Sequence, residues 1–413
     1  MNQNVCLKST NSNDRSKSPL NVVLIFGTRP DAVKMAPLVL AMKADPRFNT
    51  TVCVTGQHRE MLDQVLSIFN ITPDIDLNIM SENQTLQDIT SRVLYGVSGV
   101  MSSLKPSLAL VHGDTTTCFA AALAAFYNEV PVGHVEAGLR TDNIYYPFPE
   151  EMNRRLAGVL ATMHFAPTGL NKQNLLREGV PPDKIYMTGS TSLDALRLTA
   201  CENYHFANEE LNKVDFSKYR VLTVEAHRRE NLGEQYTEIL RALRHILETY
   251  PDMYAVFSVH LNPVVQAPVR AMFSKHERVL LLNPMCLPDY HNLVARSFMA
   301  LSDSGGIQEE GPSLGTPVLV LRAETERQEA VEAGTVQLVG TGFDGIVGAV
   351  RALADDPDAY KAMVGAKNPY GDGHASERII EAIAARFGLA GVRNGNEFNN
   401  GIDSHKDIGG SDA

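Results

Sequence analysis

Carboxylates and cations gather in a few short stretches of this 413-residue chain. Residues 134–155 read His-Val-Glu-Ala-Gly-Leu-Arg-Thr-Asp-Asn-Ile-Tyr-Tyr-Pro-Phe-Pro-Glu-Glu-Met-Asn-Arg-Arg. A strand-like run ends in Glu136, and a loop follows with Gly138, Arg140 and paired tyrosines. Pro149 is placed to open a helix with Glu150 and Glu151 in its first turn. Met152, Leu156, Val159, Leu160 and Met163 then fall at helical spacing. Acids and arginines thus meet where a strand hands over to a helix, the place where open α/β sheets bind ligands. A structural reading fits as well, because acids in a first helical turn complement the macrodipole and Glu150 to Arg154 is an i,i+4 pair.

Other strand ends carry chemistry of the same kind. The run 21–26 leads into Gly27-Thr28-Arg29-Pro30-Asp31, a strand, Gly turn and helix that suit an anion, with Arg29 and Lys34 as cations. It is not a G-x-G-x-x-G fingerprint, so no dinucleotide is implied. Thr55-Gly56-Gln57-His58 and His112-Gly113-Asp114-Thr115 end two further strands, and Asp114 could equally cap the helix behind it. In the second half, His227-Arg228-Arg229, His260 and Asp303-Ser304-Gly305-Gly306 hold corresponding places. The N–H groups of the Ser-Gly-Gly turn suit a pyrophosphate, and Glu310 one turn on could accept from ribose hydroxyls. Tyr290 could stack on a base, or be a half-buried aromatic and nothing more.

The elements that must position these residues alternate between strand and helix. Strand-like runs at 21–26, 51–54, 108–111, 132–135, 163–166 and 185–187 form one set, and 221–224, 254–259, 279–282, 298–301, 317–321 and 336–339 a second. Alternation of this kind predicts parallel, doubly wound sheets. The expected fold is two Rossmann-like domains facing a cleft: an N-terminal domain over 21–195 and a C-terminal, nucleotide-binding domain over 196–365. A helical segment over 366–390 is expected to pack back on the first domain, and the polar stretches 1–20 and 391–413 read as disordered tails. Residues 188–192 read as a loop.

Composition narrows the function. The net charge is −11 with no long basic run, which argues against nucleic acid and anionic membrane as partners. The five cysteines lie far apart without a Cys-x-x-Cys, so neither a zinc site nor a disulfide framework is indicated and a reducing cytoplasm fits. No apolar stretch is long enough to span a bilayer.

Taken together, GTRPDAVKMAPL (27–38), TGQHREMLDQV (55–65), VHGDTTT (111–117), HVEAGLRT (134–141), PEEMNRR (149–155), HRRENLG (227–233), VHLNP (259–263), DSGGIQEEGPSLG (303–315) and TERQEAVEAGT (325–335) resemble, in order and spacing, the non-hydrolysing UDP-N-acetylglucosamine 2-epimerases. The resemblance spans about residues 20–390. It implies a GT-B type fold, a cytoplasmic homodimer, UDP in the interdomain cleft, and a product used in cell-surface polysaccharide synthesis. Carried over by motif, Asp114, Glu136, Glu150 and His227 match catalytic residues. Arg29, Lys34, Tyr290, Ser304, Gly305, Gly306, Glu310 and Arg327 match nucleotide-sugar contacts. Gln57, His58, Arg228 and His260 match a second site at which UDP-GlcNAc acts as an allosteric activator. Asp31 stands where Glu is usual, Gln328 where Pro is usual, and Glu225 where a small or uncharged residue is usual. Strand alternation puts Glu225 on the same side as His227.

The implied reaction explains the residue types. C2–H of N-acetylglucosamine is not acidic while C1 carries no carbonyl. Departure of UDP gives C1 oxocarbenium character, C2–H is then lost to give 2-acetamidoglucal, and UDP adds back after protonation on the other face. Cations and N–H groups must hold the departing pyrophosphate, and carboxylates must move protons and stabilise positive charge. Neither a cofactor nor a metal is required. The alternatives are a hydrolysing epimerase, a 2-epimerase of a modified UDP-sugar, a glycosyltransferase sharing the fold, and a silent nucleotide-sugar sensor.

Overall fold

The computed structural model describes residues 18–389, apart from 58, 82, 83 and 142. The expectations for most of both tails and for His58 lie outside the described residues.

The chain runs β1 (Leu20–Phe26), α1 (Arg29–Ala44), β2 (Phe48–Val54), α2 (Arg59–Ile68), β3 (Ile75–Asp76), α3 (Leu86–Leu104) and β4 (Leu108–His112). It continues through α4 (Thr116–Tyr127), β5 (Val132–Val135), α5 (Glu150–Leu160), β6 (Met163–Ala166), α6 (Gly169–Arg177), β7 (Ile185–Met187) and α7 (Thr191–Thr199). The seven strands form one sheet in the order β3-β2-β1-β4-β5-β6-β7, each pair parallel. The apolar run in β1 is continuous because both sheet faces are covered. Val22, Leu24 and Phe26 enter one core, and Val23 and Ile25 enter the core on the opposite face.

The second sheet begins with β8 (Arg220–Glu225), α8 (Glu234–Thr249), β9 (Met253–Ser258), α9 (Pro263–Phe273), β10 (Val279–Leu282) and α10 (Leu287–Ala295). Then come β11 (Met299–Ser302), α11 (Gly306–Ser313), β12 (Val318–Val320), α12 (Gln328–Glu332) and β13 (Val336–Leu338). Its order is β10-β9-β8-β11-β12-β13, again all parallel. Helices α13 (Phe343–Asp355), α14 (Pro357–Val364) and α15 (Ala375–Arg386) follow. Strand order therefore reverses at β1/β4 and at β8/β11, and the loops leaving those strands carry the motifs read from sequence. Two doubly wound sheets facing a shared cleft is the GT-B arrangement.

Four local expectations need correction. The first sheet has a seventh strand, β3, whose two residues are too few to show any period. Residues 188–192 are not simply a loop, because Ser190 caps α7 by accepting from the Ser192 N–H at 3.4 Å. Pro149 sits just before α5 rather than opening it. Most of the apolar stripe of α5 also faces the other way: Met152, Leu156 and Val159 are exposed, only Leu160 and Met163 beyond them pack inward, and Glu151, Asn153 and Arg154 are buried. The inward face of α5 is polar because it is built into an ion network described below.

Helix α7 joins the two halves. Ala195 belongs to the core of the first sheet, and Leu193 and Leu196 belong to a core of the second. Helix α15 returns to the first sheet, where Ile379, Ile380 and Ile383 share a core with β1 and α1. Replacing a fully buried Ile by Ala removes its transfer free energy and leaves a cavity. Ile379→Ala should therefore cost about 2–4 kcal/mol and make the C-terminal helix the first site of proteolytic cleavage. Urea titration with limited proteolysis reads both, and an unchanged midpoint would contradict the docking of α15.

Candidate active site

The site begins with the turn after β1. Gly27 has no room for a side chain, since a Cβ there would lie 1.9 Å from Thr55 Oγ1. Thr28 caps α1 by accepting from the Asp31 N–H at 3.5 Å. The helix continues through Pro37 and carries Lys34 toward the end of β5. There Lys34 Nζ donates to both oxygens of Glu136, at 2.8 and 2.7 Å. Glu136 adopts φ 63°, a left-handed conformation that costs a non-glycine residue energy and is seen chiefly where structure demands it. His112, at the end of β4, places Nε2 2.9 Å from Glu136 Oε2. Its Nδ1 lies 3.8 Å from Asp31, whose other oxygen accepts from Thr115 Oγ1 at 3.1 Å.

Asp114 follows two residues after His112. It is not the helix cap, because Thr115 accepts from the Cys118 N–H at 3.2 Å. Asp114 instead accepts from Arg154 Nη2 at 2.5 Å. The expected Glu150–Arg154 pair is absent from the bonds formed by the described residues. Arg154 bonds the fully buried Glu151 at 3.1 Å, and Arg155 Nε donates to Glu151 at 2.7 Å. Glu150 is thereby left to line the cleft beside Asp114 and Glu136. Successive helical residues point about 100° apart, and Glu151 is turned from the cleft into its pairing with Arg154 and Arg155.

The second sheet supplies the opposite wall. Asp303 follows β11 and accepts from the backbone N–H groups of His227 and Arg228, both at 2.8 Å, and from Asn231 Nδ2 at 2.8 Å. This fixes the loop after β8. The His227 ring stacks on that of His260, centroids 5.4 Å apart. Glu225 faces the cleft, accepts from the Tyr290 hydroxyl at 2.9 Å, and lies 3.7 Å from His227 Nδ1. The Ser304-Gly305-Gly306 turn starts α11, whose first turn has no side-chain cap. A Cβ on Gly305 would meet Arg327 Nη1 at 2.6 Å, so the glycine lets that guanidinium lie against the turn.

Two cavities of about 500 Å³ each result. An inner one is lined by Asp31, Gln57, His112, Asp114, Glu136, Glu150 and Arg154. An outer one is lined by Arg29, Glu225, His227, Tyr290, Ser304, Gly305, Gly306 and Glu310. Lys34, Arg228, Glu326 and Arg327 line both and mark their junction. The structure thus collects the described candidates from both halves, except His260, which lines neither cavity and meets the cleft through His227. Gln57 is held in the inner cavity by Thr117 Oγ1, which donates to it at 2.8 Å. Sequence reading named none of Glu151, Arg154, Asp303, Glu309 or Glu326 as a site residue, and it set His112 beside Asp114 at a strand end without carrying it into the site. The strand-end rule that found Asp114 marks His112 equally.

The electrostatics separate the carboxylates. Burial alone would raise the Glu136 carboxyl, but Lys34 and His112 outweigh it and hold it well below the usual range. Lys34 is held above the ordinary lysine range by Glu136 and Glu309, against its burial. Asp114 moves the other way: burial, with repulsion from Glu136, raises its carboxyl against the pull of Arg154. Its side chain keeps 29% of its surface open toward the cleft. Burial lowers His112 while Glu136 and Asp31 raise it, and the balance leaves it at about 9. Because that value exceeds the unfolded value of about 6.5, the stabilisation is complete below pH ~6.5 and is lost as pH rises through ~9. The stability difference between wild type and His112→Gln should shrink by up to about 3 kcal/mol between pH 6 and pH 10 in urea titrations. A constant difference would contradict a cationic His112.

A model of the UDP-N-acetylglucosamine 2-epimerase family matches residues 40–384. The UDP-N-acetylglucosamine 2-epimerase of Bacillus subtilis strain 168 is 52% identical over 369 residues, covering 89% of this chain and 96% of that one. The Escherichia coli K12 protein of the same name is 50% identical over 377 residues, covering 88% and 98%. Among solved structures, UDP-GlcNAc 2-epimerase from Neisseria meningitidis bound to UDP-GlcNAc superposes with a TM-score of 0.81 at 46% identity, covering 89% of this chain and all of that one. With a cleft built from the same motifs that suggested it, the chain belongs to the UDP-N-acetylglucosamine 2-epimerase family.

Proposed function

We propose that the protein interconverts UDP-N-acetylglucosamine and UDP-N-acetylmannosamine without hydrolysis, by elimination of UDP and re-addition to 2-acetamidoglucal. The observation that carries this reading is the pairing of two cavities across a row of cations. The outer cavity, with the Ser304–Gly306 turn, Arg29, Tyr290 and Glu310, fits the nucleotide. The inner cavity, with Asp114, Glu136 and Glu150, fits the sugar. Lys34, Arg228 and Arg327 at the junction, with His227 beside them, suit a pyrophosphate that leaves and returns. The division into a first lobe over 21–195, a second over 196–365 and a returning segment over 366–390 belongs to the same proposal.

Opposite displacement of two carboxylates suggests how they share the work. Glu136, pinned as an anion, faces the charge that develops at C1. Asp114, with its carboxyl raised, takes and returns the C2 proton on one face, and Glu150 serves the other. The enzyme is placed in the cytoplasm, supplying activated N-acetylmannosamine for surface polysaccharide. Gln57 and Arg228 in the inner cavity, with His260 against His227, support a second UDP-GlcNAc site that activates the enzyme.

Helices α3, α4 and α5 lie side by side and expose Tyr95, Phe126, Tyr127 and Val159, the last at 84%. An apolar patch on adjacent helices of a water-facing surface marks an interface. A homodimer formed through this face accounts for the outward apolar stripe of α5.

Proton NMR of the protein with UDP-GlcNAc in D₂O should show UDP-ManNAc carrying deuterium at C2, and Asp114→Asn should slow its appearance by about 10²–10⁴-fold while UDP binding persists. Free N-acetylmannosamine would indicate a hydrolysing enzyme, and no change in the sugar would refute the epimerase reading. Val159→Arg should convert a sedimenting dimer to a monomer. A monomeric wild type, or a variant that remains dimeric, would remove α5 from the interface.

A further inference from the structure

One buried carboxylate beside the outer cavity has entered so far only through its pull on Lys34. Glu309 lies in the first turn of α11 and is 3% exposed. Its neighbour Glu310 lines the cavity, and Glu309 points the other way. One oxygen, Oε2, accepts from Ser190 Oγ at 2.7 Å and from Ser192 Oγ at 3.0 Å. The other, Oε1, accepts from Arg327 Nε at 2.8 Å and lies 2.7 Å from Arg327 Nη2. Both oxygens are thus committed, one to the start of α7 and the other to Arg327.

Those partners differ in kind. Ser190 is the cap of α7 and Ser192 lies in its first turn, in the helix that shares its apolar residues between the two halves. The Ser190 N–H is itself tied to the Tyr370 carbonyl at 2.7 Å, where the chain crosses back toward α15. Arg327 lines both cavities and rests against Gly305 of the phosphate turn. A guanidinium is planar, so fixing its Nε/Nη2 edge fixes the direction of its remaining Nη1. Nη1 is the nitrogen that lies against the turn, with Glu326 Oε1 accepting from it at 2.5 Å.

We infer that Glu309 is a positioning residue that couples the joining helix α7 to Arg327, so that the setting of the two halves determines how Arg327 meets the nucleotide. The inference rests on the proposed reading of the outer cavity as a nucleotide site. Glu309 itself touches no substrate. Two hydroxyls anchor the carboxylate to α7, and the carboxylate orients the arginine. Loosening α7 from Glu309 therefore weakens nucleotide binding only through Arg327.

Isothermal titration of UDP into the full-length protein tests this by a double-mutant cycle. Glu309→Gln and Arg327→Ala are each expected to weaken UDP binding about tenfold or more, and the double variant to bind no more weakly than Arg327→Ala alone. The paired Ser190→Ala, Ser192→Ala variant keeps the carboxylate and should weaken binding about threefold or more in the wild-type background, with no effect when Arg327 is already Ala. Thermal unfolding checks that each variant folds, and the serine pair carries the test if Glu309→Gln does not. Additive losses would overturn the inference, since a general structural defect adds to the loss of Arg327 and does not vanish with it. Unchanged binding in Glu309→Gln, or in Arg327→Ala, would overturn it as well. Failure of the wild type to bind UDP would instead refute the nucleotide reading of the cavity, a separate result.

Discussion

Lys34 and Glu136 are 102 residues apart in sequence and 2.7 Å apart in space, and their contact organises the site. Each side chain is only 15% exposed. Charges removed from water to that extent are tolerable when paired and hydrogen-bonded, and breaking such a pair by deleting one partner costs several kcal/mol, about 3–5. The pair holds the end of β5 against the first turns of α1, which begins where β1 ends. His112, from β4 between them, closes the cluster on Glu136. Three neighbouring strands at a reversal of strand order are thus joined at their carboxyl ends by charge. The left-handed backbone of Glu136 is the local cost of aiming that carboxylate into the cleft.

The second half uses the same architecture for a different purpose. Asp303 plays the organising role there, but it binds backbone N–H groups and an asparagine rather than a lysine. The outcome is a shaped loop bearing His227 and Arg228, opposite a turn that presents backbone to the cavity. One sheet end therefore supplies ionised side chains suited to proton transfer, and the other supplies cations and amides suited to an anion. Glu225 is an acid on the wall that carries the Ser304–Gly306 turn. It is engaged by the Tyr290 hydroxyl, and its carboxyl is raised, by burial first and by Asp303, toward the neutral form.

The strands were legible because a parallel sheet covered on both faces demands uninterrupted apolar runs, and twelve such runs stand out between polar turns. The two-residue β3 leaves no such mark. The cleft residues were legible because doubly wound sheets gather strand ends at one place. Which acid of an adjacent pair faces the cleft does not follow from periodicity; the motifs named Glu150 and Glu310, and these line the cavities. Glu150 and Glu151 are equivalent in sequence, as are Glu309 and Glu310, and in each pair one is buried in an ion network while its neighbour lines a cavity. The partner that decides the matter comes from distant sequence, as Ser190 does for Glu309. Helix α5 misleads for a related reason. Its apolar stripe predicts a buried face, whereas its polar face is the buried one, occupied by Glu151 and Arg154. Hydrophobic periodicity identifies the helix and leaves open what it packs against.

The central claim is that Glu136 stays ionised because Lys34 and His112 overcome its burial. The most direct test is ¹³C NMR of protein labelled at the glutamate side-chain carboxyls, with the Glu136 signal assigned by its loss in Glu136→Gln. Lowering the pH from 7 to about 4.3, where an ordinary glutamate is half protonated, should leave that signal at its carboxylate position. A midpoint at or above about 4.3 would show that burial wins, and would contradict the account of the site.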